Sequence, residues 1–421
     1  MRLLFTISDR ANWTGGPIVN FRRLLPALQS AGHEIFVLAG YRGDYPNIRY
    51  LQEKGIHCRL TTLPASTESL IRWTIAQVND LHPDVFIGDT EVFGGFSGHW
   101  VKAAGIPVIM IHRSHDAYNW GIAATFVYGP PDWQVSGLVC VSEFLKKSTI
   151  AKLGHDNFPV AVIPSGVPPS NFHANEPEPN DILKLVYSGR LEQKQKRILT
   201  LISCFLEASE TMPNLQLTLI GNGSYNNKIE QIKNEHKNGY KIIIKSPLYS
   251  ESYHKELSDH HCIILFSAYE GTPGSLMDGM SCGLIPITTF FPGVEELVKT
   301  GENGFIIQPN TQGLIQALHE VATGRKWQTL SQKAIETIVQ SFSLPSAVNR
   351  WQAFLSKLSG KPSEKKLPIQ LPEKLDLPPV QYPLCRSDRR EDWSNTVRRN
   401  IFILSQEIRA RYPYFSSNIN T

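Results

Sequence analysis

Glu270 and Asp278 are two acids eight positions apart in the segment EGTPGSLMDGMSCGLIPITT (270–289), with a Gly-Thr-Pro turn directly after the first. The apolar run Cys262–Phe266 before them reads as a strand, so Glu270 falls near its C-terminal end. Thr272 suits an N-cap, Pro273 the first helical position and Gly283 the stop of a short helix. About two turns into that helix, Asp278 returns to the same side. Unpaired N–H groups and partial positive charge gather at the helix N-terminus beside Glu270. One acid at the mouth, another behind it and a positive helix end between them suit a sugar joined to a phosphate. The plain alternative is an ordinary strand-loop-helix with two surface acids.

Four other strand ends carry polar groups. Thr14-Gly15-Gly16-Pro17 lies between a first strand and a helix, where two glycines let the backbone approach a bulky ligand. It is neither a Walker loop nor GxGxxG, so nucleotide hydrolysis and a nicotinamide cofactor have no support. His112-Arg113-Ser114-His115-Asp116 follows PVIMI, and a histidine there can donate to a sugar hydroxyl or stabilise developing charge. Gly189-Arg190-Leu191 ends another apolar run, with Lys194, Lys196 and Arg197 close behind. Cations are disfavoured at a helix N-terminus unless something anionic is bound there, and this set suits a diphosphate. Gly221-Asn222-Gly223-Ser224 is a small-residue turn able to pass a flat base or a ribose. With no Asp-x-Asp after an apolar strand, a metal held by paired acids is not expected.

These groups need a scaffold of strand ends, and the sequence supplies two. The apolar runs RLLFTI, EIFVLAG, VFIG, PVIMIH and GLVCV alternate with helical patterns such as Val19–Ala31 and Leu70–Leu81 over residues 1–175. After the polar stretch ANEPEPND (174–181) the alternation restarts with KLVYSG, QLTLIG, KIIIK, CIILFS, LIPITT and GFIIQ. Continuous apolar strands between helices predict α/β domains with buried parallel sheets. The expected division is 1–175, 182–340, a closing helix over 341–358 and an extension over 361–421.

At 421 residues, two domains are the natural division. The composition, 41% hydrophobic and 19% charged, is that of a globular protein, and no apolar run approaches the roughly 20 residues of a membrane span. MRLLFTISDR turns polar too early for a signal peptide and reads as a first strand. The six cysteines are dispersed, which predicts reduced thiols and a cytoplasmic setting, not a zinc site. Net charge is +4, and residues 361–421 hold 11 Lys and Arg against 7 Asp and Glu, so residues 1–360 are balanced. A nucleic-acid-binding body is therefore not expected. Six prolines over 361–383 predict an extended linker. Trp393, Val397, Ile401, Leu404 and Ile408, among arginines at 389, 390, 398, 399, 409 and 411, then form a basic amphipathic pattern. That pattern suits either an anionic membrane surface or docking on protein.

Taken in order, TGGPIVNFRRLLPALQSAGHEIFVLAG, VCVSEFLKK, VIPSGVPPSNF, YSGRLEQKQKR, LTLIGNGS and EGTPGSLMDGMSCGLIPITT with GVEELV and ENGFIIQP resemble the retaining GT-B glycosyltransferases of family 4. The resemblance covers roughly residues 1–358. It implies a GT-B fold, two facing Rossmann-like doubly wound domains with a cleft between them, the first on the acceptor side and the second binding the donor. It further implies metal-independent transfer, with retention, of a hexose-type sugar from a nucleotide-diphosphate sugar to a hydroxyl of a glycan, lipid-linked or small-molecule acceptor. No cofactor beyond the donor is implied. Arg190 with Lys196 would hold the diphosphate, with Lys194 as the alternative lysine. Glu270 would contact the donor sugar near Thr272, Pro273, Gly274 and Ser275. Gly189, Gly221 and Asn222 would border the nucleotide. His112 would face the sugar, with His115 as fallback, and Gly15 and Gly16 would lie against phosphates or acceptor. Asp278 departs from the family's E-x7-E pattern, being one methylene shorter than the glutamate that usually holds the ribose. A nucleotide-sugar-binding protein of weak activity, or another GT-B enzyme such as a sugar-nucleotide epimerase, are the competing readings.

Overall fold

A computed structural model of the chain describes residues 1–7, 15–39, 46–61, 67–89, 92–178, 181–322, 326–359 and 365–378. Thr14, Cys385 and the basic amphipathic pattern over 389–411 lie outside the described residues. The chain divides into two units, Met1–Ile163 with the chain from Val348 onward, and Pro164–Ala347.

The first unit runs β1 (Arg2–Ile7), α1 (Gly16–Ser30), β2 (Glu34–Ala39), α2 (Pro46–Glu53), β3 (His57–Leu60), α3 (Thr67–Leu81), β4 (Val85–Ile87), α4 (Val92–Ala103), β5 (Val108–His112), α5 (Ala117–Phe126), β6 (Gly137–Cys140), α6 (Glu143–Leu153) and β7 (Val160–Val162). All seven strands are parallel, in the order β3-β2-β1-β4-β5-β6-β7. The five expected strands are those whose residues are buried on both faces. β3 and β7 are additional, and they are the two edges: β3 (HCRL) is half-exposed and partly polar, and β7 (VAV) is half-exposed and only three residues long.

The second unit runs β8 (Leu183–Ser188), α7 (Ile198–Thr211), β9 (Leu215–Ile220), α8 (Asn226–Glu235), β10 (Ile242–Lys245), α9 (Ser250–Ser258), β11 (Cys262–Leu265), α10 (Gly274–Ser281), β12 (Ile285–Thr289), β13 (Phe305–Ile307), α11 (Thr311–Ala322) and α12 (Trp327–Thr337). A helix α13 (Leu344–Ser359) follows. The sheet is again parallel, in the order β10-β9-β8-β11-β12-β13, and all six strands are those expected. Its core is built from the inward residues of those strands, such as Leu185, Leu217 and Ile263, closed by Phe205, Leu276 and Leu314 from the helices.

The division between units differs from the expected one near residue 175. The stretch 164–178 joins the second unit: Val167 bridges Ser343, and the Ala174 N–H donates to the Cys282 carbonyl at 2.8 Å. The closing helix is likewise no separate piece. From Val348 onward α13 belongs to the first unit, where Trp351 packs edge-on to Phe5 and Phe354 fills the space beside Gly137. The proline-bearing residues after it have no regular secondary structure, yet they are strapped to the first unit. Lys365 Nζ meets Asp84 at 2.6 Å, and the Ile369 N–H donates to Asn79 Oδ1 at 2.7 Å. Arg72 Nη2 donates to the carbonyls of Pro372 and Glu373.

Each sheet has one point where the strand order reverses, and ligands of such sheets bind outside the strand ends there. In the first unit this is between β1 and β4. In the second it is between β8 and β11, so the loops after Ser188 and after Leu265 leave the sheet side by side.

Candidate donor site at the strand ends

The loop after β8 is shaped by two glycines. Gly189 and Gly221, at the ends of neighbouring β8 and β9, both have φ of 153°, open only to glycine, and a Cβ on Gly221 would lie 2.0 Å from the Gly189 carbonyl oxygen. The ladder then continues past the strands, with the Leu191 N–H donating to the Asn222 carbonyl at 2.9 Å. Gly189 and Gly221, expected beside the nucleotide, thus have an internal reason for their identity, because they let two strand ends pass each other, whereas Asn222 contributes its main-chain carbonyl.

Arg190 leaves this crossing held at two points. The Tyr187 hydroxyl donates to its carbonyl at 2.6 Å, and its own Nη2 donates to Gln195 Oε1 at 2.7 Å. Burial, and next the Glu270 carboxylate, push the Tyr187 phenol well above its ordinary range, so it stays a donor at working pH. Gln195 reaches across to the β11 loop: its Nε2 donates to the Tyr269 carbonyl at 3.0 Å, and its carbonyl accepts from Ala268 at 2.8 Å. The turn closes at Arg197, a non-glycine residue with φ of 49° that caps α7.

This docking brings Lys196 Nζ to 2.5 Å from Glu270 Oε1, with side chains only 13% and 9% exposed. Lys194 is exposed, so Lys196 is the lysine brought to the acid. The helix beyond Glu270 begins one residue later than expected. Pro273 is the N-cap and α10 starts at Gly274, while the Thr272 hydroxyl accepts from the Ser165 N–H at 3.4 Å. Cys282 is the C-cap, and Gly283 follows in the left-handed region. The leading N–H groups of α10, at Gly274 and Ser275, have no partner within the helix, being at its start, and none is seen among the described residues. A Cβ on Gly274 would meet nothing within 4 Å, so no packing within the protein demands glycine there.

Asp278 is only 2% exposed and lies 3.2 Å from Nε2 of His254 on α9, itself buried. The acid on the inner turns of α10 thus engages its own unit.

In the first unit, His112 ends β5 and is 2% exposed. Its ring meets Trp120 edge-on at 4.4 Å and its Nδ1 stands 3.5 Å from Thr149 Oγ1. Burial pulls this imidazole down to about 4, outweighing the Asp116 carboxylate, so it is neutral at physiological pH. Its Nε2 is buried without a partner among the described residues. His115 accepts from Trp120 Nε1 at 3.0 Å, and Asp116 caps α5 by accepting from the Asn119 N–H. Gly15 is the N-cap of α1, and a Cβ on Gly16 would meet nothing within 4 Å.

Four residues with evident roles escaped the sequence: Tyr187, Gln195, His254 and Asp89. Asp89, at φ 42°, takes Arg113 Nε at 2.5 Å in a pair almost wholly removed from solvent. An acid directly after the run VFIG was the available signal for Asp89. The others act through contacts that no local pattern reveals.

Residues 14–171 match the family described as Glycosyltransferase Family 4, and residues 170–337 that described as Glycosyl transferases group 1. The chain is 24% identical over 207 residues to a subunit of the human phosphatidylinositol N-acetylglucosaminyltransferase, covering 49% of this chain and 42% of that protein. It is 23% identical over 208 residues to a putative colanic acid biosynthesis glycosyltransferase, WcaL, of Salmonella typhimurium, covering 47% and 50%. The chain thus spans at most half the length of these curated relatives. Among solved structures it resembles a lipopolysaccharide outer core galactosyltransferase, WaaB, in its apo form, with a TM-score of 0.64 at 18% identity over 85% of this chain and 99% of that one. An Anabaena protein, HepE, in complex with UDP and glucose gives 0.65 at 16% identity over 85% and 100%. Likeness at such identities is likeness of fold.

Proposed function

The chain belongs to the GT-B glycosyltransferases of family 4, with a group 1 second half, and from that premise we propose that it is a retaining, metal-independent transferase moving a hexose-type sugar from a nucleotide-diphosphate donor to an acceptor hydroxyl. The observation that carries this reading is the Lys196–Glu270 pair across the β8/β11 reversal, beside Arg190 and the open start of α10.

Breaking the anomeric C–O bond builds positive charge on the sugar and negative charge on the departing diphosphate. Arg190, Lys196 and the N–H groups at Gly274 and Ser275 are the preorganised groups that stabilise the second charge, a role for which the reaction needs no metal. Glu270 anchors Lys196 and accepts from a donor-sugar hydroxyl through its remaining lone pairs. Retention follows if the acceptor oxygen attacks the face the phosphate leaves. The C–O bond to the acceptor forms as the C–O bond to phosphate breaks, and the acceptor proton passes to a phosphate oxygen. His112, neutral and with Nε2 unpartnered among the described residues, offers the first unit a hydrogen-bonding group and not a cation, and Gly15 and Gly16 leave room there for phosphate or acceptor.

The acceptor is proposed to be a glycan or glycolipid, because the curated relatives named above are a subunit of a phosphatidylinositol N-acetylglucosaminyltransferase and a putative colanic acid biosynthesis glycosyltransferase. Among the described residues no helix is long and apolar enough to cross a membrane. A peripheral contact through the basic pattern at 389–411 is proposed as the route to a lipid-borne acceptor, in a cytoplasmic setting. The test is a screen of UDP-, GDP- and ADP-sugars followed by nucleotide release, with the anomeric configuration of the product read by NMR. An inverted product, or no nucleotide release from any donor, removes this reading. Release of an altered nucleotide sugar without acceptor marks an epimerase.

A further inference from the structure

Gln195 stands between a cation and an acid. Its side-chain oxygen accepts from Arg190 Nη2 at 2.7 Å, while its main-chain N–H donates to Glu192 Oε1 at 3.2 Å. The same Glu192 oxygen lies 4.0 Å from that Arg190 nitrogen, at the limit of an ion pair. The remaining polar groups of Gln195 are spent on the β11 loop, Nε2 on the Tyr269 carbonyl and the main-chain carbonyl on Ala268. All its hydrogen-bonding groups therefore meet the two loops that leave the sheet at the β8/β11 reversal.

The electrostatic consequence differs for the two cations of the loop. Lys196 is matched by a carboxylate at 2.5 Å. Arg190 is oriented by a neutral amide, which fixes its fork without cancelling its charge. A guanidinium beside a carboxylate would otherwise form a bidentate pair, the strongest arrangement open to it.

Resting on the donor site proposed above, we propose that Gln195 is a positioning residue that holds Arg190 apart from Glu192 and so keeps its charge available to a diphosphate. Removing the side chain lets Arg190 turn onto Glu192, and a diphosphate must then undo that pair and re-order a long side chain before binding. Re-ordering one such side chain weakens affinity by about three- to tenfold.

The test is calorimetric titration of the full chain with inorganic pyrophosphate, and with UDP, GDP and ADP, at low salt. Gln195→Ala is expected to bind about three- to tenfold more weakly than wild type, and Gln195→Ala with Glu192→Gln to recover to within about twofold. That rescue separates positioning from loop packing, because a lost packing contact is not restored by neutralising Glu192. Gln195→Met, which keeps most of the volume, takes the place of the alanine variant if that one fails to fold. Variants that bind as wild type does, or a loss that Glu192→Gln does not relieve, overturn the inference while leaving the donor site standing. If wild type binds none of these ligands, the donor site itself falls and the role of Gln195 with it.

Discussion

Lys196 and Glu270 meet at 2.5 Å across the one place where the second sheet reverses its strand order, with little of either side chain exposed. The two residues are 74 positions apart, and neither strand ladder nor helix joins them directly. What joins them is the docking of the β8 loop onto the β11 loop through Gln195. The cation and the acid are therefore brought together by loop docking within the second unit.

A buried pair broken on one side leaves the other charge uncompensated. Lys196→Ala and Glu270→Ala should each lower the unfolding free energy of the second unit by about 2–4 kcal/mol. The double variant should lose less than the sum of the two. Urea denaturation of the three variants gives the coupling directly, and additive losses would mean that the contact contributes nothing.

Arg190 differs, because its side chain is about a third exposed and its hydrogen-bond partner is the neutral amide of Gln195 at 2.7 Å, with the Glu192 carboxylate only at 4.0 Å. Arg190→Ala should leave the melting temperature within a degree or two of wild type, while nucleotide release with acceptor falls by about 10² to 10³. Near-normal turnover in that variant would remove Arg190 from the site.

His112 makes stability depend on pH in a defined direction. Its imidazole is near its ordinary value when unfolded and is pulled down to about 4 by burial when folded. The unfolded chain thus binds more protons between these values, so stability is fully present above about 6.5 and is lost as pH falls toward 4. His261, pulled down to about 4 by burial and then by Lys184, adds a similar loss in the second unit. The His112 share is roughly 3 kcal/mol at its full extent. Denaturant midpoints between pH 7.5 and 4.5 should fall less steeply for His112→Gln than for wild type, and an unchanged slope would exclude the buried neutral ring.

Much of this architecture is legible in the residues alone, and what escapes has physical causes. The inner strands of both sheets announce themselves because both faces are buried, and the half-exposed edges β10 and β13 remain legible because IIIK and FII are still apolar runs. By contrast, β3 (HCRL) escapes through its polar residues, and β7 (VAV) is half-exposed and only three residues long. Arg190, Lys196 and Glu270 stand out as charged groups at strand ends, but choosing Lys196 over Lys194 depends on a loop docking encoded nowhere in spacing. Thr272 has the right chemistry for an N-cap, yet its hydroxyl is taken by the Ser165 N–H and the cap passes to Pro273. The strap over 365–378 reads as a free linker because the polar bonds that fix its path are mostly made by its main chain, through carbonyls at Pro372 and Glu373 and the N–H groups of Lys366 and Ile369. Side-chain patterns carry no record of such bonds.

Asp278 stands where the resemblance implied a second glutamate, and its carboxylate lies 3.2 Å from His254 Nε2. Restoring the longer acid puts a methylene into a position only 2% exposed. Asp278→Glu should therefore cost about 1–3 kcal/mol of stability, with donor KM changed less than about threefold. Thermal melts and donor titration measure the two separately. An Asp278→Glu variant that keeps full stability and tightens the donor would instead return this acid to the ribose.

Leu375 tests whether the strap belongs to the first unit or merely lies on it. It is 1% exposed, although it sits in a stretch without regular secondary structure. Polar bonds fix the strap before it, from Lys365 at Asp84 through Ile369 at Asn79 to the carbonyls held by Arg72. Those bonds are largely solvent-facing and worth little singly, so the burial of Leu375 should dominate the energy of docking. Leu375→Ala should lower the stability of the first unit by about 2–4 kcal/mol, as for other fully buried leucines. Lys365→Ala should cost about 1 kcal/mol or less. Calorimetric melts of both variants beside a chain ending at residue 364 rank the contributions, with the truncation at least as destabilised as Leu375→Ala. A truncated chain that melts with wild type would show the strap to be a passenger.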